Sequence, residues 1–183
     1  MKAVGRTISW MTEGASGIAG ILVVLMVTHV FLDVLMRFIF QTPIDATILY
    51  VSVFYMIGVA FFPLGSLEVK GNHISVELLV EKLPGRLQKI LSVFALLVTS
   101  VVAATVAVRT GQEALLKYSI GAYSIEASGR IITWPSYFYL PIGFGLMALV
   151  SAWKMIATVM GRDSGLRVLQ IEDPYLAGSN RDV

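Results

Sequence analysis

Four apolar stretches, each long enough to cross a bilayer, decide what this chain can become. They run from about Gly17 to Phe40, Thr47 to Leu67, Leu87 to Val108 and Trp134 to Met160. A hydrocarbon core of about 30 Å takes roughly 20 apolar residues as a helix. Only helices or closed barrels satisfy their backbone polar groups there. Charged residues make up 14% of the 183, against roughly a quarter in a soluble domain, so little chain is left for a separate folded unit. The expectation is an all-α membrane protein, one domain over residues 1–183 with four transmembrane helices. An amphipathic segment (72–84) should lie between spans 2 and 3 as a surface helix, and a polar tail (161–183) should follow span 4.

Lys2 and Arg6 ahead of an apolar run imitate a secretory signal. The run continues from Ile18 to Leu32 with no Ala-x-Ala-like site to end it, so it reads as an uncleaved first span. With four spans, both termini share a side with the middle loop. That side carries Lys2, Arg6, Lys70, Lys82, Arg86, Lys89, Lys154, Arg162, Arg167 and Arg181, and the other carries Arg37, Arg109, Lys117 and Arg130. An excess of Lys and Arg marks the cytoplasmic side, which places both termini there. Trp10, Trp134 and Trp153 fall near span ends, where interfacial anchors belong. A net charge of +2, dispersed along the chain, argues against a nucleic-acid partner.

Polar residues inside such spans are costly and usually face a partner or water. His29, Asp33 and Arg37, spaced four apart, form one stripe on the first helix. The stripe reads as an ion relay, or more simply as an Asp33–Arg37 pair with His29 packed on a neighbouring helix. In the second span, Gly58, Pro63 and Gly65 point to a proline kink near the cytoplasmic end. Arg109, Glu113 and Lys117 repeat the four-residue spacing past the end of the third apolar stretch, as though that helix continues out of the membrane. They form either a solvated face or a docking surface. Glu126 and Arg130 lie in the longest outer connection, Tyr118 to Thr133, where an external partner is most easily met.

Catalytic chemistry finds no footing. Cys is absent, which removes disulfides and thiolate sites. There are two His, and His73 lies outside the spans, so a bis-histidine haem has no ligands. No phosphate loop, dinucleotide fingerprint, zinc-protease helix or nucleophile elbow is present. The reading is a non-enzyme without cofactor or metal.

The segment Gly71 to Pro84 is amphipathic: Val76, Leu79, Val80 and Leu83 share one helical side, Glu77 and Glu81 another. Its Gly71-x-His73-Ile74-x-Val76-x-x-Leu79 pattern before Leu83-Pro84 resembles the small permease subunit of tripartite ATP-independent periplasmic (TRAP) transporters. Arg37-Phe38-x-Phe40-x-x-Pro43 and Trp134-Pro135-x-Tyr137-x-x-Leu140-Pro141-Ile142-Gly143 are similar to the same family in order and spacing, over about Gly17 to Met160. Many members carry a Glu early in the second span, where this chain has Ala46-Thr47-Ile48. The resemblance implies a bacterial inner-membrane scaffold subunit, partnered by a large elevator-type permease, a periplasmic substrate-binding protein and membrane lipids. The substrates it implies are organic anions such as carboxylates or sialic acids, moved with a sodium gradient, their sites belonging to the large subunit. Asp33, Arg37 and His73 become the candidate subunit or lipid contacts. Arg109, Glu113, Lys117, Glu126 and Arg130 become the candidate docking surface for the binding protein. The competing expectation is a self-sufficient transporter or channel that uses the His29, Asp33 and Arg37 stripe.

Overall fold

The computed structural model describes residues 2–70, 85–126, 129–160 and Leu166. The amphipathic segment 72–84 with His73, and the tail apart from Leu166, lie outside the described residues. Helix α1 spans Lys2–Phe40 without interruption, since no proline falls within it and isolated glycines are tolerated in a helix. Its 39 residues extend about 58 Å at 1.5 Å per residue, nearly twice a hydrocarbon core. It therefore begins well before the apolar stretch that starts near Gly17. At its other end Gln41 adopts φ 57° and its side-chain amide donates to the Phe38 carbonyl at 3.3 Å. Pro43 disfavours helix at the residue before it, so the chain turns there.

The second span is broken in two places. Helix α2 (Thr47–Tyr50) runs into one π-helical turn, Val51–Tyr55, and then into α3 (Met56–Phe61). Pro63 lacks an N–H and its ring clashes with the preceding turn, so helix resumes only at α4 (Leu64–Lys70). The kink expected from sequence is at this point. The π turn leaves no trace in composition. Helix α5 (Gly85–Ser119) continues past Arg109, Glu113 and Lys117, as their spacing suggests. The connection between the third and fourth spans adds an element that an all-helical reading does not contain. Strands β1 (Tyr123–Glu126) and β2 (Gly129–Ile132) form an antiparallel hairpin that pairs Tyr123 with Ile132 and Ile125 with Arg130. A 3₁₀ turn at Trp134–Phe138, with Pro135 in its first turn, leads into α6 (Tyr139–Val159).

Among the described residues, four helical segments are long and apolar enough to cross a membrane. The broken second span sits between α1 and α6, and α5 packs along α6. Two small clusters hold the centre. One is Ala15, Ala19 and Phe62 with Leu22, Tyr139 and Leu146 against it, and the other is Ile8, Val69 and Val150 with Trp153 and Leu166. Small residues let the backbones meet. A Cβ on Gly65 would stand 2.8 Å from Thr12 Cγ2 and 2.9 Å from Leu146 Cβ, and one on Gly143 would strike the Phe61 carbonyl. The rest of the apolar surface is open: in the most apolar window of α5, 6% of residues are buried.

Gly65→Leu and Gly143→Leu are expected to cost about 2–3 kcal/mol through overpacking. Gly17→Leu, with nothing within 4 Å of the added Cβ, should leave thermal unfolding of the purified chain unchanged.

Candidate functional site

The polar stripe on α1 is a hydrogen-bonded network that closes onto the second span. Asp33 is buried and uses both oxygens: Oδ2 accepts from Arg37 Nη2 at 3.1 Å, and Oδ1 accepts from the Ile44 N–H at 2.7 Å. One carboxylate thus joins the helix end to the loop that follows it. Thr47 Oγ1 donates to the Ile44 carbonyl at 3.1 Å and lies 3.5 Å from His29 Nε2. Having spent its hydrogen on Ile44, the hydroxyl accepts from Nε2–H, which leaves Nδ1 to accept from Tyr55 Oη at 3.3 Å. His29 is packed on a neighbouring helix, as the simpler sequence reading holds.

The π turn explains why two tyrosines meet that ring. On an α-helix, residues five apart point about 140° away from each other. A wider turn brings Tyr50 and Tyr55 toward one side, with ring centroids 5.9 and 5.8 Å from His29. The result ties spans 1 and 2 together. Arg37 is different: its side chain is 62% exposed, so its far side is open to a phosphate or another chain. No group of three or more potential metal ligands occurs among the described residues.

The end of the bundle that carries the hairpin gathers the other candidates unevenly. Lys117 Nζ bonds Glu113 Oε1 at 3.3 Å and lies 5.6 Å from the Tyr137 ring centroid. Arg109 is exposed on the same helix beside Ala104, Thr105 and Val108. Glu126 and Arg130 do not share a surface. Cross-strand pairing places Arg130 with Tyr123, Ile125 and Ile132 on one face of the hairpin, and Glu126 with Ser124 and Ile131 on the other. The Arg130 guanidinium stacks over the Tyr123 ring at 3.4 Å.

A further polar contact lies toward the other end and escapes the sequence search. Lys154 Nζ on α6 donates to the carbonyl of Glu68 on α4, and the buried Glu68 attracts its ammonium. Carbonyls in the last turn of a helix lack internal partners, so this lysine caps α4 from a different helix. The signal was present as one ionisable residue near the end of each of two apolar stretches.

The fold is that of a multi-pass membrane protein whose four spanning helices leave much apolar surface uncovered. The family model for the DctQ component of tripartite ATP-independent periplasmic transporters matches residues 26–161, and the chain belongs to that family. No curated protein and no solved structure matches significantly. The chain is therefore a component of a TRAP transporter.

Asp33→Ala should cost about 2–3 kcal/mol, since it removes two bonds to a buried charge. Arg37→Gln should cost less than about 1 kcal/mol because that partner is exposed. Chemical unfolding in detergent ranks the two. On the same assay Lys154→Met should lose about 2 kcal/mol and Lys154→Arg, which keeps a donor, much less.

Proposed function

We propose that the chain is the non-catalytic scaffold subunit of a secondary active, sodium-coupled, binding-protein-dependent importer. Its substrates are organic anions such as carboxylates or sialic acids, and their sites belong to a large elevator-type permease with which this chain pairs. The complex sits in a bacterial inner membrane with both termini of this chain cytoplasmic, which is the side richer in Lys and Arg. Membership of the family supports the assembly. The observation that carries the scaffold role is the open apolar surface of α1 and α5. Val24, Phe31, Val34 and Phe38 on α1 are each more than half exposed, as are Ile90, Phe94, Val101 and Val108 on α5.

At three glycines on α1, Gly14, Gly17 and Gly20, an added Cβ would meet nothing within 4 Å among the described residues. Spaced three apart, they leave room for a helix of another subunit to approach closely, as small residues do in membranes. Arg37 adds an exposed cation for a subunit or lipid contact, and His73 belongs to the same proposal from sequence. The charges Arg109, Glu113, Lys117 and Glu126 are the docking surface proposed for the periplasmic binding protein. Arg130, grouped with them in sequence, stands on the opposite hairpin face, and its surroundings support another assignment, given below.

The competing self-sufficient channel would conduct through His29, Asp33 and Arg37. Asp33 is buried and each of its oxygens accepts a hydrogen bond from the protein, which favours a structural tie over an open ion path. Co-expression with the large permease separates the readings. The scaffold reading expects the two to copurify, and transport in vesicles only when both are present with the binding protein. Gly17→Leu should reduce permease recovery severalfold without altering stability of the chain. Uptake by this chain alone would overturn the proposal.

A further inference from the structure

The hairpin is amphipathic in the unexpected sense: its apolar face points away from the protein. Ile125 is 76% exposed, Ile132 57% and Tyr123 42%, while Ser124, Glu126 and Ile131 on the other face are half-buried. A two-stranded hairpin is marginal in water, and one that shows isoleucines to water is worse. This face needs a cover, and its neighbours indicate which. The base of the hairpin is pinned where Thr133 and Trp134 N–H groups both donate to the Ala122 carbonyl, at 3.0 and 3.2 Å. At that level the rings of Tyr118, Trp134 and Phe138 contact edge to face in series, at 4.8 and 6.1 Å. Trp and Tyr concentrate at the headgroup boundary, where an amphipathic ring meets both phases.

Exposed apolar side chains also lead into the hairpin from the spanning helix: Leu115, Leu116, Tyr118 and Ile120 are all more than half exposed. The last turns of α5 mix them with Glu113 and Lys117, a composition suited to the headgroup layer and not to hydrocarbon. Arg130 completes the pattern. Stacked on Tyr123 beside two isoleucines, it presents a guanidinium at the rim of an apolar face, and guanidinium binds phosphate in bidentate geometry.

We infer that the hairpin is a membrane-surface anchor. Its Tyr123, Ile125 and Ile132 face rests in the phospholipid headgroup layer on the side opposite the termini, and Arg130 engages a lipid phosphate. This anchor is independent of the scaffold role. It fixes the hairpin against the bilayer and leaves the Glu126 face turned away from the lipid.

The chain has no Cys, so single reporters can be placed cleanly. Ile125→Cys, Ile132→Cys and Glu126→Cys variants of the full chain, each carrying a small fluorophore, are reconstituted into phosphatidylethanolamine–phosphatidylglycerol vesicles. Quenching by a shallow spin-labelled lipid is compared with quenching by aqueous iodide. The ratio of lipid to iodide quenching should be at least about threefold higher at positions 125 and 132 than at 126, as an apolar face seated in the interface requires. Adding Arg130→Gln should lower the ratio at 125, and an unchanged ratio would remove the phosphate contact. Iodide quenching at 125 and 132 equal to that at 126 would overturn the anchor and leave the face to a soluble protein. Shielding from both quenchers that disappears on dilution into excess lipid would overturn it in favour of a second copy. None of these outcomes depends on the permease, whose association is judged by copurification.

Discussion

Lipid tails are as apolar as leucine, so burial of side chains cannot drive these helices together. The bundle depends instead on close van der Waals contact at a few small residues. Gly65 admits Thr12 from α1 and Leu146 from α6, and Gly143 accepts the Phe61 backbone of α3. These contacts seat the broken second span between α1 and α6, beside the places where α1 and α6 also touch directly. Outside these contacts and the packing of α5 along α6, much of the helical surface is open, and those exposed faces are the reason the chain reads as part of a larger assembly.

Polar groups then fix what close packing allows. Near one end, Asp33 ties Arg37 and the Ile44 amide, while His29 joins Thr47 and Tyr55 across the two spans. Near the other, Lys154 caps α4 beside the buried Glu68. In low-dielectric surroundings each such bond is worth more than on a soluble surface, and breaking it leaves a costly unpaired group. The ties sit on either side of the glycine contacts, so they set the register of spans that would otherwise be free to slide.

Much of this was legible in the chain. The four spans, the kink at Pro63, the extension of α5 past Lys117 and the Asp33–Arg37 pair all follow from local pattern, because helix length, proline geometry and four-residue spacing act within one segment. The π turn did not announce itself, since Val51 to Tyr55 is an ordinary apolar run. In sequence the hairpin is indistinguishable from a loop, because its two strands are only four residues each, too short for alternation to stand out. The Lys154 cap is not legible in sequence because its partner is a backbone carbonyl, which every residue possesses.

By itself the sequence determined the phase this protein occupies, the number of crossings and the family motifs, because hydropathy and spacing are properties of single segments. Only the tertiary structure decided which faces meet and which stay open. It separated Glu126 from Arg130, since strand pairing assigns faces that linear proximity cannot, and it brought Tyr50 and Tyr55 to one histidine through a widened turn. Those outcomes rest on contacts between segments distant in sequence.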